Sequence, residues 1–482
     1  MRSWFRIGLW FLMVVSIPAC AAQNNFTVVQ VTEYCRHGAR TTWRDHMHLD
    51  LTKNLGLGTL TANGMRMHHL LGKELRNRYT NLLGEQAPHP LRPLDVEVFA
   101  SNVARTQLSA QSQLSGLMPF GTGPEIFEPN RPDLYNPNFQ NVTVSLDGSY
   151  GLPQGYSPVP LILQAPELDV RFLADPAHTC PHATSFVANV SEAGYKKYQY
   201  FPDKLALELE TRGFSSRSIY NKSAWDIESL ALLSDELICY ENYHGFRYNN
   251  TDPTLQEKIF RAHNVKFTLE FDDIKIKKFR SDAIARDIIQ GMDNVVTNKT
   301  NKKKFRLFSG HDTGVLAHML LLNLTNLDCM VAKMNGTSVE GACEDIPAFA
   351  AQFIYELVVN NKNEYFVRSL YNNVAFNICP RKEYCPYDEF KEKFEELVFM
   401  DKDDFLRFCG NQLLIQKSQH SQRPKIVKPL LFWITAAVGG VLILLVILMI
   451  VARYQRILVE ESQKRAMKAS LGQSNEADHI PN

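Results

Sequence analysis

The chain has 482 residues, a net charge of +1 at neutral pH, 21% charged and 45% hydrophobic residues. Near charge balance argues against a nucleic-acid binder, which carries a strong basic excess. Nine cysteines without a Cys-x-x-Cys pair exclude zinc-ribbon spacing.

Residues 1–21 read as a cleaved signal peptide. Arg2 and Arg6 precede the apolar run Ile7–Ile17, and Ala19-Cys20-Ala21-Ala22 supplies small residues for cleavage. Thr27–Thr32 predicts a buried strand that runs into Tyr34-Cys35-Arg36-His37-Gly38-Ala39-Arg40-Thr41-Thr42. A strand ending in a glycine turn loaded with cations is an anion site. Met67, Leu70, Leu71 and Leu75 then recur at helical spacing, with Thr61 or Asn63 as the cap. Val96–Ala100 is a second strand, ending in Ser101-Asn102-Val103-Ala104-Arg105-Thr106 before a helix to Leu117.

Residues 121–165 are rich in Pro, Gly and Asn and predict an irregular excursion. From 166 to 295 the chain reads mainly helical, with Tyr195–Leu209 and Lys222–Cys239 as examples, inserted against the strand-containing part. Lys302-Lys303-Lys304 is read as a solvated loop. Lys304–Phe308 is a third strand, running into Ser309-Gly310-His311-Asp312 and a helix. Phe349–Val359 and Glu364–Tyr371 predict two closing strands around a polar turn. Lys391–Phe399 and Asp403–Cys409 read as short helices, and 410–428 as a stalk.

Leu430–Ala452 carries no charged residue over 23 positions, enough for one membrane-spanning helix. The expected layout is a signal peptide at 1–21, a lumenal or extracellular domain at 22–428, a transmembrane helix at 429–452 and a cytoplasmic tail at 453–482. Sequons at Asn25, Asn141, Asn189, Asn221, Asn249, Asn298, Asn323 and Asn335 all precede the membrane segment, which agrees with type I topology. In an oxidising compartment the cysteines serve as disulfides. Tyr454-Gln455-Arg456-Ile457 fits a tyrosine-based sorting pattern, so plasma membrane and lysosome both stay open.

Three strand–turn–helix units thus carry polar cargo: Arg36-His37 with Arg40, Arg105, and His311-Asp312. If their strands are neighbours, one pocket collects three arginines, two histidines and one aspartate. Guanidinium groups grip phosphate oxygens in pairs. A neutral imidazole can attack phosphorus, and a carboxyl group can protonate the leaving oxygen. These residues supply grip, nucleophile and acid without a metal or cofactor.

Arg36-His37-Gly38-Ala39-Arg40 together with Gly310-His311-Asp312 resembles the histidine acid phosphatases, in the branch that includes the prostatic and lysosomal enzymes. The resemblance extends over roughly 26–410, through Leu60–Met65, Ser101–Ala110, Tyr355-Glu356-Leu357 and Tyr371-Asn372-Asn373. It implies an α/β fold: a mixed sheet flanked by helices, phosphoglycerate mutase-like, with core at about 26–124 and 296–410. A mainly helical cap is inserted at about 125–295. It implies His37 as the phosphorylated nucleophile and Asp312 as proton donor. Arg36, Arg40, Arg105 and His311 become phosphate ligands. It further implies disulfides Cys180–Cys409, Cys239–Cys343 and Cys379–Cys385, leaving Cys35 and Cys329 free or as a fourth pair, and a homodimer. The reaction expected is hydrolysis of phosphate monoesters at acid pH. A phytase or inositol-phosphate phosphatase on the same scaffold is the enzymatic alternative, and a silent phosphate-binding receptor ectodomain the non-enzymatic one. Two neighbours depart from the family wording: Cys35, and Thr42 where a proline is usual.

Overall fold

The computed structural model describes residues 26–49, 55–87, 91–128, 148–297, 302–422 and 427–472. The expected signal peptide and the sequons at Asn25, Asn141 and Asn298 lie outside the described residues. The chain forms two compact units, Met1–Asn411 and Gln412–Asn482.

The strands are β1 (Thr27–Arg36), β2 (Val96–Ala100), β3 (Leu161–Ile162), β4 (Phe305–Gly310), β5 (Gln352–Val359), β6 (Tyr365–Tyr371), β7 (Val374–Phe376) and β8 (Cys385–Pro386). The core helices are α1 (Ala62–Arg78) and α2 (Ala104–Leu117). Next come α3 (Pro176–Thr179), α4 (Pro181–Lys197), α5 (Tyr200–Thr211), α6 (Ser216–Tyr220), α7 (Ile227–His244), α8 (Pro253–Phe271) and α9 (Ile274–Val296). Then follow α10 (Asp312–Leu321), α11 (Leu327–Met334), α12 (Tyr387–Val398) and α13 (Lys402–Cys409), with α14 (Gln412–Gln422) and α15 (Val427–Gly472) in the second unit.

The sheet order is β3-β2-β4-β1-β5-β6-β7, with β8 on β6. β1, β2, β3 and β4 pair in parallel, and β5, β6 and β7 are antiparallel. The parallel strands need helical crossovers, which cover both faces and leave the last seven residues of β1 all buried. Side chains alternate accordingly. Val31, Cys35, Val98 and Leu307 pack with Leu75 of α1 and Leu114 and Leu117 of α2. Tyr34, Phe99 and Phe308 face Ile288 and Met292 of α9, Met319 of α10 and Phe394 of α12. Helix α9, inside the segment expected as cap, therefore packs on the sheet itself. β3 lies within the stretch expected to be irregular; two residues of strand leave no readable alternation.

Helix α1 corrects its expected face. Its buried residues are Gly64, His68, Gly72 and Leu75, while Leu70 is 52% exposed. Backbones decide this. A Cβ on Gly72 would stand 1.9 Å from the carbonyl oxygen of Gln113, so α1 and α2 meet through glycine rather than through leucine. In the cap, the helix expected over Tyr195–Leu209 breaks between α4 and α5, and the one expected from Lys222 starts at Ile227. There Asp226 accepts from the Ser229 amide at 2.8 Å and the Ser229 hydroxyl from the Asp226 amide at 3.0 Å, a closed N-terminal cap.

The disulfides are Cys180–Cys409, Cys379–Cys385 and Cys329–Cys343. The expected Cys239–Cys343 pair is thus wrong. Cys329 on α11 lies only 14 residues from Cys343, with Cα atoms 5.9 Å apart, whereas Cys239 is a buried free thiol beside Arg40, as Cys35 is on β1. The expected stalk contains helix α14. Helix α15 contains a segment, Gly439–Lys468, long and apolar enough to cross a membrane, and continues to Gly472 into what was expected as a polar tail.

Candidate active site

The carboxyl ends of β2, β4 and β1 lie side by side, with Ala100 opposite Ser309 and Arg36 opposite Gly310. The loops leaving them open at one sheet edge, where open α/β sheets take ligands. A cavity of about 360 Å³ lies there, and Arg36, His37, Arg40, Arg105, His311 and Asp312 all line it.

The loop after β1 is held by its backbone. The His37 amide donates to the Gly310 carbonyl at 3.0 Å and the Gly38 amide to the Ser109 hydroxyl at 3.1 Å. A Cβ on Gly38 would stand 2.4 Å from the Gly64 carbonyl oxygen, so the loop can rest on the start of α1 only with glycine there. Thr61 caps α1 and donates its hydroxyl to the Ala39 carbonyl at 3.0 Å. Thr42 donates its hydroxyl to the Arg44 carbonyl at 2.5 Å and accepts from the Gly58 amide at 2.9 Å, so hydrogen bonds rather than a proline ring hold that turn.

His37 is 1% exposed, and its Nδ1 lies 2.9 Å from the Gly38 carbonyl oxygen. A carbonyl only accepts, so Nδ1 carries the proton and Nε2 keeps its lone pair. Burial, then the charges of Arg105, Arg36, His311 and Arg40, push its pKa well below 6.5. The ring is neutral.

Each arginine has a fixed anchor. Arg36 donates Nη1 to the Pro347 carbonyl, holds Asp312 Oδ2 at 2.7 Å and stacks on Phe349 at 4.4 Å. Arg40 grips both oxygens of Asp235, on α7, at 2.8 and 3.1 Å. Arg105 packs on Trp43 at 5.1 Å and points Nη2 at His311 Nδ1 at 3.4 Å. The Nε–H groups of all three are buried without a partner among the described residues. Three orphaned cationic donors around one cavity call for an oxyanion.

His311 is fixed by a chain of hydroxyls. Its Nε2 lies 2.8 Å from Ser101 Oγ, which lies 2.9 Å from Thr106 Oγ1, whose proton goes to the Val103 carbonyl. Nε2 therefore donates, and Nδ1 accepts from Arg105. Burial and then Arg105 lower its pKa to about 3. Asp312 is the first residue of α10, with His311 rather than Asp312 as the N-cap. Burial raises its pKa, but Arg36, Arg40, His311 and Arg105 overcome this and hold it at about 2. His68 and His69, adjacent in sequence, bond separately to Gln113 and Ser115, each at 2.9 Å.

Sequence reasoning missed Asp235, Phe349 and Ser101. Ser101 lies inside the segment that carries Arg105, with no role read for it; Asp235 lines the cavity from α7 and Phe349 packs against Arg36 and the His37 ring, and neither carries a local mark.

The model of the histidine phosphatase superfamily, branch 2, matches residues 27–372. The lysosomal acid phosphatase of Xenopus laevis is 22% identical over 415 residues, covering 83% of each chain. The prostatic acid phosphatase of Bos taurus is 24% identical over 353 residues, covering 71% of this chain and 76% of its own. Among solved structures, the phytase of Klebsiella sp ASR1 superposes with a TM-score of 0.51 at 13% identity, covering 78% of this chain and 96% of that one, a likeness of fold.

Proposed function

This chain belongs to the histidine phosphatase superfamily, branch 2, and from that premise we propose that it hydrolyses phosphate monoesters through a phosphohistidine at His37. The observation that carries the reading is the convergence of a neutral, tautomer-fixed His37 with three guanidinium groups whose buried Nε–H donors have no partner among the described residues.

Arg36, Arg40 and Arg105 bind the phosphoryl oxygens. Nε2 of His37 attacks phosphorus as the ester P–O bond breaks, and the leaving oxygen takes a proton from Asp312. Water then gives a proton to Asp312 and attacks the phosphohistidine. The P–N bond breaks, orthophosphate leaves, and His37 returns neutral. In the free protein Asp312 is ionised against Arg36. A bound phosphate neutralises the surrounding cations and so raises its pKa. The proton arrives with the substrate, because the monoanion of a phosphate ester dominates below about pH 6. That favours acid pH. The same bound anion raises the pKa of His311, whose Nδ1 then gains a proton to donate to the phosphoryl group.

The setting we propose is a single-pass type I protein with residues 22–428 outside the cytoplasm, in the lysosomal or endosomal lumen or at the cell surface. It is supported by the apolar segment of α15 and by the exposure of Asn189, Asn221, Asn249, Asn323 and Asn335, all open to glycosylation. The homodimer stays part of this proposal by family resemblance.

The deciding experiment mixes the full-length protein with a radiolabelled aryl phosphate and quenches it in alkali, where phosphohistidine survives. Label on the wild type and none on His37→Ala is the expected result. Turnover with no label, or label retained in His37→Ala, would remove His37 from the mechanism. Absence of turnover between about pH 4 and 8 would favour the silent receptor.

A further inference from the structure

In the cap, an exposed aromatic ring stands three residues ahead of a sequon. Helix α7 ends at Gly245, whose left-handed φ of 78° turns the chain out of the helix. Helix α8 is capped by Asp252, which accepts from the Leu255 amide at 2.9 Å and pairs with Arg212. Between these two caps Thr251 closes a β-turn. Its amide donates to the Tyr248 carbonyl at 2.9 Å, and its hydroxyl to the same carbonyl at 2.8 Å. Asn249 and Asn250 are therefore the central residues of a fixed turn, with Asn249 exposed. Asn249-Asn250-Thr251 is a glycosylation acceptor sequence.

The aromatic ring is that of Phe246. It is 54% exposed, although Tyr240 and His244 pack against it with centroids at 5.7 and 5.5 Å. Tyr243, also exposed, extends the patch through the His244 ring at 5.0 Å. Tyr248 packs instead on Phe214 and Tyr240. A single exposed apolar side chain is ordinary, but an exposed aromatic cluster beside an attachment point has a candidate cover. The step from Phe246 to Asn249 spans at most about 10 Å of chain, which an asparagine side chain carrying one pyranose ring bridges. The axial C–H bonds of such a ring carry slight positive charge and rest on the negative face of an aromatic ring. The other described sequons lack this arrangement. Asn221, Asn323 and Asn335 have Ser218, Leu320 and Ala332 at the same step, and Asn189 has Phe186, which packs on Phe408 at 5.2 Å.

We propose that the first sugar of an N-linked glycan on Asn249 stacks on Phe246 and pins the loop that joins α7 to α8. To form it, the amide nitrogen of Asn249 attacks the anomeric carbon of a lipid-linked oligosaccharide. The N–C bond forms, the C–O bond to the lipid pyrophosphate breaks, and the amide gives up one proton. The glycan then covers the aromatic patch and steadies the end of the helix whose Asp235 holds Arg40. This rests on the lumenal or extracellular setting proposed above and gives one glycan a structural role in it.

The test uses full-length protein from a eukaryotic secretory host, purified in detergent. Mass spectrometry after enzymatic deglycosylation should find Asn249 occupied. Asn249→Gln should lower Tm by about 2 °C, and the same change in a Phe246→Ala background should leave Tm where it is. Equal losses in the two backgrounds overturn the proposal, because sites that do not interact add. If Phe246→Ala does not fold, trimming every glycan to a single N-acetylglucosamine decides. A Tm gap between wild type and Asn249→Gln that survives trimming supports the proposal, since the first sugar makes the contact, and a gap that closes overturns it. Glycans at other sequons with Asn249 bare defeat this proposal alone, whereas glycans at none of them defeat it together with the lumenal setting.

Discussion

Arg40 and Asp235 meet through two hydrogen bonds, Nη2 to Oδ1 at 2.8 Å and Nη1 to Oδ2 at 3.1 Å, across 195 residues of sequence. The pair joins the loop after β1 to α7 of the cap. Asp235 takes one N–H of each terminal nitrogen, Nη1 also donates to the Thr41 carbonyl at 3.2 Å, and Nε has no partner among the described residues. Asp235→Asn leaves that buried cation without its counter-charge. Stability should fall by about 3 kcal/mol, measured by denaturant unfolding. The freed Arg40 should lose its aim, with kcat/KM for an aryl phosphate down at least tenfold. An unchanged kcat/KM in the folded variant would mean Asp235 does not position Arg40.

Asp312→Asn separates proton donation from phosphate binding. General acid catalysis contributes roughly 10²–10⁴-fold where the leaving group needs its proton. The variant should therefore lose about that factor on an alkyl phosphate and much less on 4-nitrophenyl phosphate, whose leaving oxygen departs unaided. Equal losses on both would assign Asp312 to holding Arg36, through their 2.7 Å pair, rather than to proton transfer.

The pH profile has a stated origin. Asp312 titrates at about 2 in the free protein, so it carries no proton of its own at pH 5. The alkaline limb of kcat/KM should then follow the second ionisation of the substrate, falling about tenfold per unit above roughly pH 6. Esters with a more acidic phosphate should move that limb down by the same amount. A limb that stays fixed across substrates would place the titrating group on the enzyme.

Glu33, on β1 and 0% exposed, accepts from the Gln113 side chain, and burial pushes its pKa up from 4.5 to about 8. A carboxyl group with a raised folded pKa contributes stability that is complete below about pH 4.5 and is lost as pH rises through about 8. Within that window the slope approaches about 1.4 kcal/mol per pH unit. Glu33→Gln should flatten the fall of Tm between pH 5 and 8. Part of the slope should remain, because burial also pushes Glu236 on α7 up to about 8. A variant whose Tm falls as steeply as the wild type would exclude Glu33 as the source.

Peptide mapping without reduction should find Cys329 joined to Cys343 and alkylatable thiols at Cys35 and Cys239 after unfolding. Closing a loop of this length stabilises by about 3 kcal/mol in the chain-entropy picture, so Cys329→Ser should cost about that much. Cys239→Ser should leave the disulfides intact. A Cys239–Cys343 peptide would contradict the pairing.

By itself the sequence determined the strand–turn–helix units and their cargo. The strands β1, β2 and β4 are short apolar-rich runs that end at polar turns, and that information is local, carried by spacing and side-chain type. It also determined the membrane-length apolar run and the closing strands β5 and β6. Only the tertiary structure decided what depends on distance through space. Sheet pairing set β4 between β2 and β1, which makes three separate turns one cavity. Glycine contacts between α1 and α2, not the leucine spacing, chose the buried face of α1. Cys343 pairs with Cys329 at a Cα separation of 5.9 Å, and Cys239 stays free. Asp235 acquires its role from the charge that its helix brings within reach, and no window of sequence holds that information. The Arg36-His37-Gly38-Ala39-Arg40 run announces an anion site, but what holds each arginine and what remains free to bind was decided by chain segments up to about 300 residues away.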